Sequence, residues 1–165
     1  MTDTLTLANQ QAFLAQQRGA ELARLYATLP AGPAPLGALR GQLMAIRGVD
    51  RLPRPLAGLL YRLLALPLNP WRGKYLDPHA GSNLWLAGDR LRFGHFSVTQ
   101  QAGSDGLPCH WLDYDSAANP RLLRAIRGEA RQLQPGLWLC RMQWQTGNGL
   151  AALLWFTLQD SNHAH

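Results

Sequence analysis

Charged side chains recur inside the aromatic, strand-like runs of the second half of the chain. In NPWRGKYLD, Arg72 and Lys74 flank Gly73 between Trp71 and Tyr75; in HWLDYDSAANP, Asp113 and Asp115 flank Tyr114; in LWLCRMQWQ, Arg141 follows Cys140. An unpaired buried charge is costly, so charges among Trp, Tyr and Leu are expected to pair with one another or with a ligand. Arg72 and Lys74 could together hold a carboxylate or phosphate head group. Alternation along an extended strand puts both on one face, with Trp71 and Tyr75 on the other. Asp113 and Asp115 share a face in the same way, with Tyr114 opposite, and such a pair could act as general acid and base or bind a metal. The alternative is structural: Asp115 and Ser116 open a turn, and Asp113 pairs with a nearby arginine.

His95, in RFGHFSV, is a further candidate base or haem ligand if it faces an interior; a core or surface imidazole is the competing reading. Six tryptophans are present, and Trp85, Trp111, Trp138, Trp144 and Trp155 sit in strand-like runs. There they line either a packed core or an apolar pocket. Aromatic strands with interspersed cations suit an amphipathic ligand with an apolar body and an anionic head. The candidate ligand-binding set is Arg72, Lys74, Tyr75, Trp85, Trp111, Tyr114 and Arg141, and the candidate catalytic set is Asp113, Asp115 and His95.

Other chemistries lack a signature. His79, His95 and His110 show no metal-ligand spacing, and Cys109 and Cys140 form neither a CxxC pair nor a metal framework, so no metal or cofactor is expected. No GxSxG elbow and no phosphate-cradling glycine loop is present. The net charge of +6 comes mostly from scattered arginine, without a basic stripe or tail, which argues against nucleic acid as a partner.

The elements that must position these residues fit one domain in 165 residues with 47% hydrophobic content. Residues 4–29 read as an amphipathic helix through Leu7, Phe13, Leu14, Leu22, Leu25 and Tyr26, ended by Pro30. PAGPAPLG is a linker, LGALRGQLMAI a first strand, and Pro53 and Pro55 open a second, more apolar helix over 56–66. Short strands follow, with a turn at Gly88-Asp89 and a final hairpin at 147–149. Between them, Asn119 as N-cap and Pro120 at the first position predict a helix through LLRAIRGEARQL, stopped by Pro135-Gly136. The expected architecture is mostly β (α+β): five or six antiparallel strands in a small lipocalin-like barrel, residues 36–160, behind an N-terminal helix, residues 1–30. With neither a signal peptide nor a bilayer-length apolar span, the expected location is cytoplasmic.

A family resemblance rests on several of these segments. Gly37-Ala38-Leu39-Arg40-Gly41 resembles a GXWXG motif with Leu39 at the Trp position. WRGKYL is similar to that family's aromatic-Gly-Lys segment, and LDYDSAANPRLLRAIRGEARQLQPGLWLCRM, ending in LLWFTLQ, to its later pattern. The resemblance to this family of uncharacterised bacterial proteins implies a lipocalin-like or calycin-like β-barrel, and marks Gly37, Gly41, Gly73, Lys74, Tyr114 and Asp115. It implies no defined activity. Three functions fit: a barrel that binds a lipophilic, fatty-acid-like anion; a small-barrel isomerase, cyclase or hydrolase acting on an apolar substrate; or a filled barrel serving as a protein-interaction or peripheral membrane-surface module.

Overall fold

The computed structural model describes residues 7–46, 54–55, 71–85 and 88–160. Its frame is a closed barrel of eight antiparallel strands: β1 Gly37–Ile46, β2 Trp71–Leu76, β3 Ala80–Trp85, β4 Gly88–Ala102, β5 Pro108–Asp113, β6 Ile126–Gln134, β7 Leu137–Thr146 and β8 Gly149–Asp160. Each strand pairs with the next, and β8 returns to β1. Among the described residues every strand therefore has a paired neighbour on each side, which is how a small all-antiparallel sheet avoids edge-to-edge association.

The sequence correctly predicts a mostly β barrel but undercounts its strands, and the segment expected to form the inserted helix is instead β6. IRGEARQLQ carries two periodicities at once. Its Ala, Glu, Arg, Gln and Leu are good helix formers, yet Ile126, Gly128 and Ala130 also alternate with Arg127, Glu129 and Arg131. The strand prevails because β6 is hydrogen-bonded on both sides, to β5 and to β7, whereas a helix there would leave two edges open. Only a 3-10 turn, Arg121–Ala125, precedes it. Asn119 is therefore not a helix cap. Its buried side chain accepts from the His95 N–H at 2.9 Å and donates to the carbonyls of His95 at 2.6 Å and Tyr114 at 2.8 Å, pinning the β5–β6 connection onto β4.

Turn chemistry is legible at the 147–149 hairpin, where Gly149 has φ +114° and Thr146 pairs with it. Gly88 and Asp89, expected to be the turn, already belong to β4, and Gly88 pairs with Trp85. The single expected N-terminal helix is two, α1 Leu7–Ala15 and α2 Gly19–Thr28, the second begun where the Glu21 carboxylate accepts from the Arg18 N–H at 2.7 Å. The expected apolar helix over 56–66 lies outside the described residues.

Two apolar clusters follow from strand alternation. Inside the barrel are Leu39, Leu76, Phe96, Val98, Leu112, Tyr114, Trp138, Cys140, Phe156 and Leu158, among others. Outside it, Leu14, Leu22 and Tyr26 of the helices cover Leu139 and Trp155 of β7 and β8. The proline-rich 30–36 segment crosses one barrel end: the Trp138 indole N–H donates to the Pro33 carbonyl at 2.9 Å, and the His110 ring bonds Gly32 O at 2.9 Å. No described helix is long and apolar enough to cross a membrane.

The outer cluster also absorbs most of the buried charge. Glu129, fully buried, accepts from Ser104 N–H (2.7 Å), Gln143 Nε2 (2.8 Å), Arg141 Nε (2.8 Å) and the Tyr26 hydroxyl (3.3 Å). The Arg131 guanidinium makes a two-pronged ion pair with Asp105 at 2.7 and 2.6 Å and donates to the carbonyls of Pro108, Tyr26 and Leu107. Both arginines lie over the Tyr26 ring, at 4.3 and 4.8 Å from its centre. This is a fully satisfied network that locks α2 to the barrel, as a buried charge cluster requires.

Candidate functional site

The chain has sixteen basic residues, and fifteen are arginine. The single lysine, Lys74, is fully buried inside the barrel. A bulge puts it there. The β2–β3 register shifts between Trp71 and Gly73, and Gly73 has φ +145°, a conformation that disfavours a side chain. A Cβ there would also lie 1.9 Å from the Leu39 carbonyl oxygen. The shift breaks simple alternation, so Arg72 points to solvent while Trp71 and Lys74 both reach the interior. The expectation that Arg72 and Lys74 share a face, opposite Trp71, is thus overturned by one extra residue in the strand.

Inside, the Lys74 ammonium donates to Asn83 Oδ1 at 2.6 Å and to the Tyr114 hydroxyl. The Tyr114 hydroxyl in turn lies 3.4 Å from the same Asn83 oxygen, closing a triangle. Four rings surround the amine: Phe96 at 4.9 Å from ring centre to Nζ, Tyr114 at 5.2 Å, Phe156 at 5.4 Å and Trp71 at 5.8 Å. Trp71 meets Phe156 edge-on, 5.4 Å between centres. Ring faces carry negative quadrupole density and partly replace lost hydration, but each such contact is weak compared with a carboxylate. Among the described residues no carboxylate pairs with Lys74.

Glycines make the room. Gly94 has φ +79°, and a Cβ on it would lie 2.5 Å from Asn83 Nδ2 and 3.6 Å from the Tyr114 ring. Gly41 has no side chain to collide with the Trp71 ring, which would lie 2.3 Å from its Cβ.

Burial decides the electrostatics. Loss of water pulls the Lys74 amine from 10.5 down to about 7, with the neighbouring Cys140 thiol opposing weakly. The same burial pushes the Tyr114 phenol and the Cys140 thiol well above their ordinary values. Near neutral pH the site therefore holds a lysine poised between ammonium and free amine beside a neutral phenol and a neutral thiol.

The other expected site residues are dispersed. Arg141 lies on the outer face in its ion pair with Glu129, 2.7 Å. Tyr75 and Trp111 alternate outward between the buried pairs Lys74/Leu76 and His110/Leu112, and Trp85 ends β3 half-buried at the barrel rim. His95 is half-buried and, lying between the buried Gly94 and Phe96, turns outward rather than into the interior. Asp113 pairs with Arg127 at 3.1 Å and accepts from the Asp115 N–H at 2.8 Å, while Asp115 is exposed. The structural reading of this carboxylate pair is the one its geometry matches. Among the described residues no cluster of His, Cys, Asp and Glu has the makings of a metal site.

Of the expected ligand-binding set, then, Lys74 and Tyr114 meet. Their partners Asn83, Trp71, Phe96 and Phe156 lie outside that expected set. Nothing local marks Asn83, but the count of one lysine against fifteen arginines is a signal visible in the sequence.

Comparison with known proteins adds fold and little else. No protein-family model matches the chain, and no curated protein matches it. A crystal structure of a protein from Thermomonospora curvata is similar, with a TM-score of 0.62 over 94% of this chain and 95% of that one at 19% sequence identity. At that identity the likeness establishes a shared fold alone.

Proposed function

We propose that the protein is a small-molecule-binding barrel of lipocalin-like type, which takes a lipophilic compound and holds its acidic head at Lys74, Tyr114 and Asn83. The observation that carries this reading is the burial of the only lysine, in an aromatic box, without a carboxylate partner among the described residues. A charge kept in such a place is penalised until an anion arrives, and a ligand carboxylate would accept from both the ammonium and the phenol. Apolar interior walls with a few convergent polar groups are the usual form of such sites. The resemblance to the GXWXG family implies no activity of its own, but the Gly41, Gly73, Lys74 and Tyr114 that it marks build or touch the amine's surroundings.

The test is titration calorimetry with decanoate at pH 6 and pH 9. Binding should be tighter at pH 6, where the amine is charged before the ligand arrives, and Lys74→Met should lose it. Equal affinity in the wild type and Lys74→Met would sink the proposal.

A further inference from the structure

We propose that Lys74 is also a covalent anchor for lipophilic aldehydes, forming an imine on its side-chain nitrogen; this rests on the reading that the barrel interior admits a lipophilic ligand. The argument begins with residue type. Arginine stays protonated and is not a nucleophile, whereas lysine can lose its proton and attack a carbonyl. Fifteen of the sixteen lysine and arginine residues are arginine, and the chain's one side-chain primary amine, the type that can form an imine, is the one inside the barrel.

Its surroundings suit that chemistry. Burial among Trp71, Phe96, Tyr114 and Phe156 disfavours the ammonium, and the amine is pulled to about 7, so a substantial free-amine fraction exists near neutral pH. Burial among apolar groups is a known route to an activated lysine. Asn83 Oδ1 accepts an N–H of Lys74, which orients the nitrogen. Tyr114, hydrogen-bonded to the same nitrogen and kept neutral by burial, is placed to donate to the aldehyde oxygen.

The step balances without a further reactant. The nitrogen lone pair forms the C–N bond as the C=O π bond opens, and a nitrogen proton passes to the oxygen to give a carbinolamine. Loss of a second nitrogen proton and of the hydroxyl group, together as water, leaves the imine. Hydrolysis reverses it, so the attachment is a reversible tether.

The chain's one lysine makes the experiment clean, because its N-terminal amine is the only other primary amine and serves as an internal reference. The 165-residue chain is incubated with decanal at pH 7.5 in the presence of cyanoborohydride, which reduces any imine to a stable amine. Peptide mass spectrometry then locates the decyl groups. The expected result is one decyl group on Lys74, formed at least about ten-fold faster than on the N-terminal amine. Excess decanoate should suppress it, Lys74→Arg should abolish it, and Tyr114→Phe should slow it about ten-fold or more, as loss of a positioned proton donor does. Labelling of the N-terminal amine alone overturns the inference. Decanoate binding, measured in parallel, separates the two readings. If decanoate binds and Lys74 stays unlabelled, the tether is wrong and the binding barrel stands. If neither ligand engages, both fall.

Discussion

Replacing Lys74 by methionine should stabilise the ligand-free protein at low pH and cease to do so at high pH. In the unfolded chain the amine titrates near 10.5; in the barrel, burial lowers it to about 7. Below pH 7 both states are protonated and the folded state carries the whole desolvation penalty, about 5 kcal/mol for a shift of that size. Between pH 7 and 10.5 the unfolded state binds more protons than the folded one, so wild-type stability rises with pH, by about 1.4 kcal/mol per unit at most. Above that range the penalty is gone. Methionine fills a similar volume but forfeits the hydrogen bonds to Asn83 and Tyr114, a loss of about 1–2 kcal/mol. The Tyr114 hydroxyl still lies 3.4 Å from the Asn83 oxygen, which limits that loss. The variant should therefore be more stable by about 3 kcal/mol at pH 6, and by pH 10 the advantage should vanish or reverse. Urea unfolding of both proteins from pH 6 to 10 measures it, since the other ionisations largely cancel in the difference. A carbon-13 label at the lysine Cε, which yields a single resonance in this chain, reads the midpoint directly. A stability difference that stays flat from pH 7 to 10, with a midpoint near 10, would refute the reasoning.

Three further outcomes follow from the geometry. Gly94→Ala forces a side chain onto φ +79° and into Asn83, and should cost about 2–4 kcal/mol by thermal unfolding while moving the Lys74 midpoint. Glu129→Ala leaves Arg141 only Ser104 Oγ at 2.6 Å and Asp105 at 3.9 Å, strips the acceptor from the Ser104 N–H and the Gln143 amide, and should cost about 3 kcal/mol; Asp113→Asn, at a partly exposed pair, should cost under about 1 kcal/mol in the same urea assay. Cys109 is pushed up to about 12, and burial raises Cys140 further. Both thiols should therefore resist iodoacetamide at pH 8 in the folded protein and react once urea unfolds it.

Much of the architecture is legible locally. The antiparallel strands, the terminal hairpin and the buried helical residues Leu14, Leu22 and Tyr26 follow from alternation, helical spacing and residue type. Each depends on neighbours a few residues away, and the chain states those directly. The three decisions that assemble the surroundings of Lys74 are not set by nearest neighbours in the chain. IRGEARQLQ satisfies both helical and strand periods, and it becomes β6 because β5 and β7 otherwise lack a shared partner. Arg72 and Lys74 part company because a bulge at Gly73 reverses alternation where β2 meets β1 and β3. Asn83 meets Lys74 as its cross-strand partner on β3, whereas Phe96 and Phe156, from β4 and β8, reach it across the closed barrel. Residue type determines that this chain has one lysine able to lose its proton. Barrel closure determines that it is buried without a carboxylate partner among the described residues, because burial and register are properties of paired strands and not of any one of them.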